Sequence, residues 1–318
     1  MNSLELFKTQ KFYQIDISIL KDLGYDVLLS NRIFDSLLFW KYDILFSYFY
    51  RYSFFAALLA KCFGKKTYFT GGIDSLDSDY ASAFNYKIQA LFFKLCYWVA
   101  DSCIIVSQSD LKNIFKVSSL KKKLSYSEHV INTKLFIADV PKEKIFTSIV
   151  WMGDEGNVVR KGVDKALQIF AELKKIPEFV DYRFVIIGRK GEGEVLVRSI
   201  IDKYNLKGSV ELKGEVSEED KINLLKQSKY YFQLSLYEGF GLAALEALCA
   251  NNIIIHSGKG GLANPIYKEQ LLFDIDNDFD SELLKLVNKL ACFTPITSYD
   301  NLLEYYDIQR RKDDFEAK

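Results

Sequence analysis

Two glutamates eight positions apart, Glu238 and Glu246, bracket a pair of glycines in the stretch EGFGLAALE. Gly239 and Gly241 leave backbone N–H groups uncovered where the helix formers of LAALEALCA begin. Such a turn is a ready anion site. Eight positions is a little over two helical turns, so both acids can face one side. Amides that hold phosphate beside carboxylates that hold hydroxyls suit a phosphate-linked sugar. The plainer alternative is that Glu238 caps the helix and Glu246 is a solvated face residue. Glycine loops of this kind do not decide between the two by themselves.

The elements that must position this turn are legible on both sides of it. Residues 230–235 (YYFQLS) form a short apolar, aromatic-rich run, as in a strand covered on both faces. Asn251-Asn252 ends the helix and Ile253-Ile254-Ile255 is the next strand. Strand, turn, helix and strand at this spacing predict a right-handed crossover in a parallel sheet. Upstream, strands are expected over Thr147–Met152, Phe184–Gly188 and Ser209–Leu212. Helices are expected over Val163–Lys175 and over Ser217–Ser228, where Ser217 and Asp220 make a capping box. Asp274–Leu290 is acidic at its start and helical at its end, and Ser298–Lys318 reads as a final charged helix.

The first half alternates in the same way. Lys11–Leu23 carries apolar residues at helical spacing and stops at Gly24. Asp26–Ser30, Tyr42–Ser47, Thr67–Thr70 and Ser102–Ser107 read as strands, and Tyr52–Phe63 and Phe84–Ala100 as helices. This is a doubly wound α/β pattern. Such a domain ordinarily opens with a strand and a glycine turn. Only Leu4-Glu5-Leu6-Phe7 precedes the first helix, so the first domain is expected to be shortened at its N-terminus. Leu37–Phe63 is crowded with aromatics but interrupted by Lys41, Asp43 and Arg51, and holds no apolar run long enough to span a bilayer. It reads as a strand plus a buried helix, with a membrane-touching face as the alternative. Ser125–Lys144, polar and with Pro141, reads as the hinge between halves.

The chain of 318 residues is long enough for two domains. Its formal net charge is zero, which argues against a nucleic-acid binder. Residues 1–145 hold 19 Lys+Arg against 14 Asp+Glu, a balance of +5, and the remainder is −5. The five cysteines are scattered in apolar runs and suit buried thiols of a reducing cytoplasm. The opening MNSLELFKTQ lacks the apolar core of a signal peptide. No metal-ligand spacing is present, so neither a metal nor a cofactor is expected.

WMGD…RKGVDKALQIFAEL, FVIIGRKGEG, VELKGEVSEEDKINLLKQS, LYEGFGLAALEAL and IIIHSGKGGLANPI follow one another over about 150 residues. In that order they resemble the retaining glycosyltransferases of family 4, which have the GT-B fold. The hallmark is a Glu, seven residues and a second Glu, here Glu238 and Glu246. ADSCIIVSQSDLKNIF and INTKLF resemble the end of that family's acceptor domain and the start of its donor domain. The resemblance implies two doubly wound Rossmann-like domains facing across a cleft. Residues 1–143 would be the acceptor-side domain and 144–297 the nucleotide-sugar donor domain. Residues 298–318 would be a helix returning to the first.

It also implies roles. Glu246 would bind the ribose hydroxyls of a nucleotide-sugar and Glu238 would sit by the donor sugar. The N–H groups of Gly239, Phe240, Gly241 and Leu242 would hold sugar or phosphate, and Lys161 would neutralise the departing diphosphate. Arg160, Gly188, Arg189, Gly214 and Val216 would line the donor site, and Gly71, Gly72 and Asp74 the acceptor side. Retention without a metal or a protein nucleophile, a UDP- or GDP-linked donor and a glycan or polyprenyl-linked acceptor follow. So does a cytoplasmic location, at the inner face of the membrane if the aromatic stretch touches it. Three departures are plain. Asp154-Glu155 stands where the family has an Arg about six positions before Lys161. Gly71-Gly72 stands where it often has a His. Asn251-Asn252 replaces a glycine turn. They keep open a second reading, a non-catalytic GT-B partner that retains the fold or nucleotide binding.

Overall fold

The structure is a computed structural model that describes residues 3–137, 140–293 and 300–317. Its elements in chain order are helices α1 (Ser3–Thr9) and α2 (Lys11–Asp22), strand β1 (Ile44–Tyr48), α3 (Ser53–Cys62), β2 (Lys66–Thr70), α4 (Ala83–Val99), β3 (Ser102–Ile105), α5 (Gln108–Val117) and β4 (Leu124–Tyr126). There follow β5 (Glu143–Ile149), α6 (Glu155–Arg160), α7 (Val163–Leu173), β6 (Arg183–Ile187), α8 (Glu194–Lys203), β7 (Val210–Gly214), α9 (Glu218–Gln227) and β8 (Ser228–Gln233). The chain continues with α10 (Leu242–Cys249), β9 (Ile253–His256), β10 (Leu271–Leu272), α11 (Phe279–Cys292), α12 (Asp300–Tyr305) and α13 (Ile308–Glu316). By its contacts the chain forms two units. One runs to Ile131 and takes in the chain from Tyr306 onward; the other is Asn132–Tyr305. By contacts the two units meet at Ile131/Asn132 and Tyr305/Tyr306. Residues 298, 299 and 318 of the expected final helix lie outside the described residues.

The first unit is built on a parallel sheet in the order β1-β2-β3-β4. Side chains alternate across β1. Leu45 joins a core with Phe69, Phe93, Cys103 and Ile114. Phe46 and Tyr48 point the other way, against Phe315 of α13 and against Phe12 and Tyr13 of α2. Asp26–Ser30 is not a strand: it is irregular, and Leu28 is 64% exposed. A strand needs a neighbour for its N–H and C=O groups, and β1 pairs with β2 alone among the described strands. The expected hinge, Ser125–Lys144, contains the boundary between the units at Ile131/Asn132, but it is not a polar linker throughout. Its start is β4, and Ser127 to Ile131 are buried. Leu37–Phe63 gives the expected strand and a helix that buries Phe54, Ala57 and Ala60. Around them Phe34 (78%) and Trp40 (66%), with Phe55 and Phe63, are exposed. No helix among the described residues is long and apolar enough to cross a membrane.

A buried ion pair closes this unit. Arg311 of α13 donates to both carboxylate oxygens of Asp16 on α2, at 2.6 and 2.9 Å, and both residues are 0% exposed. Arg311 also donates to the carbonyls of Ser127 and Glu128, at 2.6 and 3.2 Å, and Tyr48 Oη donates to Asp16 at 3.0 Å. The fork of donors satisfies the carboxylate and the chain leaving β4 together. Beyond the carboxyl end of β2, Asp110 of α5 accepts from Ile73 N–H at 3.3 Å and ties down the Gly71-Gly72 turn. Burial, and then the neighbouring Asp74 carboxylate, push its pKa up to about 7.

The second unit has six parallel strands in the order β10-β9-β8-β5-β6-β7. The chain steps outward from β5 to β6 and β7, then returns to β8 on β5's other side. The reversal expected of a doubly wound sheet is therefore present here, while the first sheet runs in chain order. Phe146 of β5 stacks on Tyr230 and Phe232 of β8, with ring centroids at 4.6 and 5.1 Å. Three elements of this unit escape the sequence reading, α6, α8 and β10. Asp154 caps α6 by accepting from Asn157 N–H at 2.6 Å. Asn251 adopts φ +60°, the left-handed cap expected at the end of α10.

Replacing Arg311 by Met should leave Asp16 buried without its cation. The expected loss is about 3–5 kcal/mol of stability, read by urea unfolding; a loss under about 1 kcal/mol would show that Asp16 is satisfied without it. An acid whose folded pKa is raised binds more protons when folded. Asp110's contribution is thus fully present below about pH 4 and lost as the pH rises through about 7. Asp110→Asn should be stabilised relative to the parent by on the order of a few kcal/mol on going from pH 5 to pH 8. Parallel stability profiles would contradict this.

Candidate functional site

In an open parallel sheet, ligands bind beyond the carboxyl ends of the strands where the strand order reverses. In the second unit that point lies between β5 and β8. The segments leaving those two strands carry Lys161 and Glu238.

Both segments come close because they lack side chains at the crossing. Gly162 has φ +69°, and a Cβ there would stand 2.0 Å from the carbonyl oxygen of Leu234. Leu236 N–H donates to the carbonyl of Arg160 at 2.8 Å and stitches the same crossing. Next to it, Lys161 Nζ donates to Glu238 Oε1 and Oε2 at 3.0 and 2.7 Å. Glu238 Oε2 accepts two further bonds, from Gln233 Nε2 at 3.1 Å and Ser235 Oγ at 3.0 Å. Tyr231 Oη donates to Gln233 Oε1 at 3.1 Å. Glu238 is therefore no helix cap. It is a half-buried carboxylate oriented by one cation and two neutral donors, and its own carbonyl accepts from Gly261 N–H at 2.6 Å.

Gly241, with φ +88°, is the residue before α10, and a Cβ on it would lie 3.5 Å from Glu238 Cγ. The N-terminal amides of α10 are thus next to the Lys161–Glu238 pair. Gly239 and Leu242 are half-buried and Phe240 is buried. Glu246 is not a solvated face residue. It is 4% exposed, and Oε2 accepts from Lys221 Nζ of α9 at 2.7 Å. The two glutamates are held by different lysines from different elements.

Of the remaining sequence-derived positions, Arg160, Gly188, Arg189, Gly214 and Val216 belong to this unit. Gly188 N–H donates to the carbonyl of Gly214 at 2.8 Å, so the ends of β6 and β7 meet there. A Cβ on Gly188 would stand 2.0 Å from the carbonyl oxygen of Val150. Arg189 has an exposed side chain, and its carbonyl accepts from Met152 N–H at 2.9 Å. Val216 packs with Ile145, Val185, Ile187 and Leu224. Arg160 donates to Asn157 Oδ1 at 2.8 Å. Gly71, Gly72 and Asp74 belong to the first unit. There Gly71 has φ +101°, and the space a Cβ of Gly72 would fill is bordered by Asp74 Oδ1 at 3.3 Å and Asp110 Oδ2 at 3.9 Å.

Three polar contributors were not legible as such: Lys221, Ser235 and Asp110. Gln233 had left a trace, a lone amide inside the apolar run YYFQLS. His256 is buried at the end of β9, and burial lowers its pKa to about 4. Among the described residues no cluster of three or more His, Cys, Asp or Glu is placed to hold a metal.

Known proteins share this architecture. The crystal structure of Anabaena HepE in complex with UDP matches with a TM-score of 0.70 at 13% identity, over 89% of this chain and 80% of that one. The chain has the α/β fold, with two parallel sheets, of the GT-B glycosyltransferases. A GDP-mannose:cellobiosyl-diphosphopolyprenol alpha-mannosyltransferase of Xanthomonas oryzae pv. oryzae is 32% identical over 163 residues, 45% of this chain and 40% of that protein. A phosphatidylinositol N-acetylglucosaminyltransferase subunit of Homo sapiens is 30% identical over 105 residues, 33% of this chain and 21% of that protein. The chain spans less than half the length of these two curated relatives. Residues 156–290, which carry Lys161, Lys221, Glu238 and Glu246, match the family model of the Glycosyl transferases group 1.

Proposed function

We propose that this protein is a retaining, metal-independent glycosyltransferase of family 4. It moves a sugar from a UDP- or GDP-linked donor to a glycan or lipid-linked acceptor, in the making of a surface polysaccharide or glycoconjugate. The observation that carries this reading is Lys161 held 2.7 Å from Glu238 beside the N-terminal amides of α10, at the point where the strand order reverses.

Breaking a sugar–phosphate bond builds negative charge on the departing diphosphate. A fixed ammonium and a row of backbone N–H groups stabilise that charge without rearranging. Glu238 keeps Lys161 in place before the phosphate arrives, and in the complex it lies by the donor sugar. Glu246 accepts from the ribose hydroxyls. Acceptor and diphosphate share one face of the sugar, so retention needs no protein nucleophile. Arg160, Arg189 and the glycine turns at Gly188 and Gly214 line the donor site, and Gly71, Gly72 and Asp74 face the acceptor. The protein works in the cytoplasm, at the inner membrane face. The exposed Phe34, Trp40, Phe55 and Phe63 and the basic first half suit contact with an anionic bilayer.

One observation favours the alternative, a GT-B partner that binds nucleotide without catalysis. Asp154-Glu155 stands where the resemblance expects an Arg, and the Asp154 carboxylate is spent on capping α6.

The readings separate in a panel of nucleotide-sugars. A donor at about 100 times its dissociation constant should stabilise the protein by about 2.7 kcal/mol in thermal unfolding. Slow hydrolysis of that donor, abolished in Lys161→Ala, is expected of the enzyme; stabilisation with no turnover would mark the partner. Glu246→Ala should weaken UDP or GDP binding by roughly tenfold or more, and unchanged affinity would remove its ribose role. Flotation with phosphatidylserine vesicles should carry the protein upward, and Trp40→Ser with Phe34→Ser should reduce it. Absence of flotation would dismiss the membrane contact.

A further inference from the structure

The second glutamate raises a question that the donor reading leaves open. The carboxylate of Glu246 sits in the apolar helix LAALEALC, with Ala244, Leu245, Ala247 and Leu248 all buried around it. A carboxylate in such a place needs a cation or takes up a proton. Lys221 supplies the cation. Its Nζ stands 2.7 Å from Glu246 Oε2, and the two side chains are 14% and 5% exposed.

Lys221 is itself held. It pairs with Glu218 at 3.1 Å, and its ammonium lies 6.0 Å from the centre of the Phe136 ring. The 2.7 Å contact to one oxygen anchors the Glu246 carboxylate and restricts its rotation. An ion-paired carboxylate only accepts hydrogen bonds, as recognition of two adjacent hydroxyls requires.

We propose that Lys221 is the positioning residue for ribose recognition, holding the Glu246 carboxylate in the orientation that distinguishes a ribonucleoside diphosphate from one lacking its 2′ and 3′ hydroxyls. The inference rests on the reading of Glu246 as the ribose ligand. Without Lys221 the buried carboxylate protonates or turns aside, and the hydroxyls lose their acceptor. The phosphate contacts at Lys161 and α10 stay intact. Lys221 therefore acts on the ribose contribution alone.

The test is calorimetric binding of UDP, GDP and their 2′,3′-dideoxy analogues to the parent protein and to Lys221→Met, Lys221→Gln and Lys221→Arg. The parent should bind the ribose form of the preferred nucleotide at least about tenfold tighter than its dideoxy analogue. In Lys221→Met and Lys221→Gln that gap should shrink to within about threefold, with dideoxy binding unchanged. Retained dideoxy binding also certifies that the variants fold. Lys221→Arg should restore most of the gap. A full gap in Lys221→Met or Lys221→Gln overturns the role of Lys221 and leaves Glu246 as ribose ligand. No gap in the parent overturns the Glu246 reading and this inference with it.

Discussion

The candidate site depends on a close approach of backbone to backbone. β5 and β8 are neighbours in the sheet, and the chain leaving β5 crosses the chain leaving β8 with no room for a side chain between them. Gly162 meets the carbonyl of Leu234 at a distance that any Cβ would violate. Because the crossing is that tight, the residue before Gly162 and the residue four after Leu234 reach each other. Lys161 and Glu238 form an ion pair as a consequence of the glycine. The same constraint recurs one strand over, where Gly188 lies against the carbonyl of Val150. The edge of this sheet is a set of fitted backbone turns, and its charged side chains are placed by the fit.

Charge at this edge is arranged in pairs that a stability argument alone would not favour. Removing two ions from water costs about as much as their attraction returns, so a half-buried pair adds little net stability. Glu238 and Glu246 are each kept by a lysine at 2.7 Å, and Glu238 draws in Gln233 and Ser235 as well. Arg311–Asp16 in the first unit is different. It is fully enclosed, it satisfies the chain between β4 and Ile131, and it holds the last helix to one of the first. That pair holds architecture together, while the lysine–glutamate pairs hold charged groups on α10 and the turn before it, Lys161–Glu238 half-buried and Lys221–Glu246 buried.

Much of this was legible locally, and what was not shares a cause. Strands β6, β8 and β9 announce themselves as apolar runs because both their faces are covered, whereas β5 (Glu143–Ile149) starts four residues before the expected Thr147–Met152. The turn at Gly239–Gly241 announces itself because few other residues adopt its backbone. Asp26–Ser30 has the composition of a strand, but a strand is a pairing, and the pairing partner is not written in those five residues. β4 was hidden in the opposite way: Leu124–Tyr126 is short, and its polar surroundings resemble a linker. Lys221 looked like one of the charges that begin a capped helix. Asp16 and Arg311 are 295 positions apart, and no local pattern joins them.

Asp154 shows how one position can shift the balance of a site. A residue with a carboxylate at the start of α6 stabilises that helix by accepting Asn157 N–H and by meeting the positive end of its dipole. On the proposed reading, the same choice leaves no cation where the resemblance expects one. On that reading, what meets a negative ligand next to Glu238 is one ammonium, already shared with that carboxylate, and the amides at the start of α10, with Arg160 and Arg189 further along the donor site. An ammonium shared with a carboxylate offers an incoming phosphate less than a whole charge. The amides compete with no neighbour for it. The local gain in helix capping therefore moves the burden of anion recognition from side chains to backbone, and so back to the glycines that leave the backbone bare.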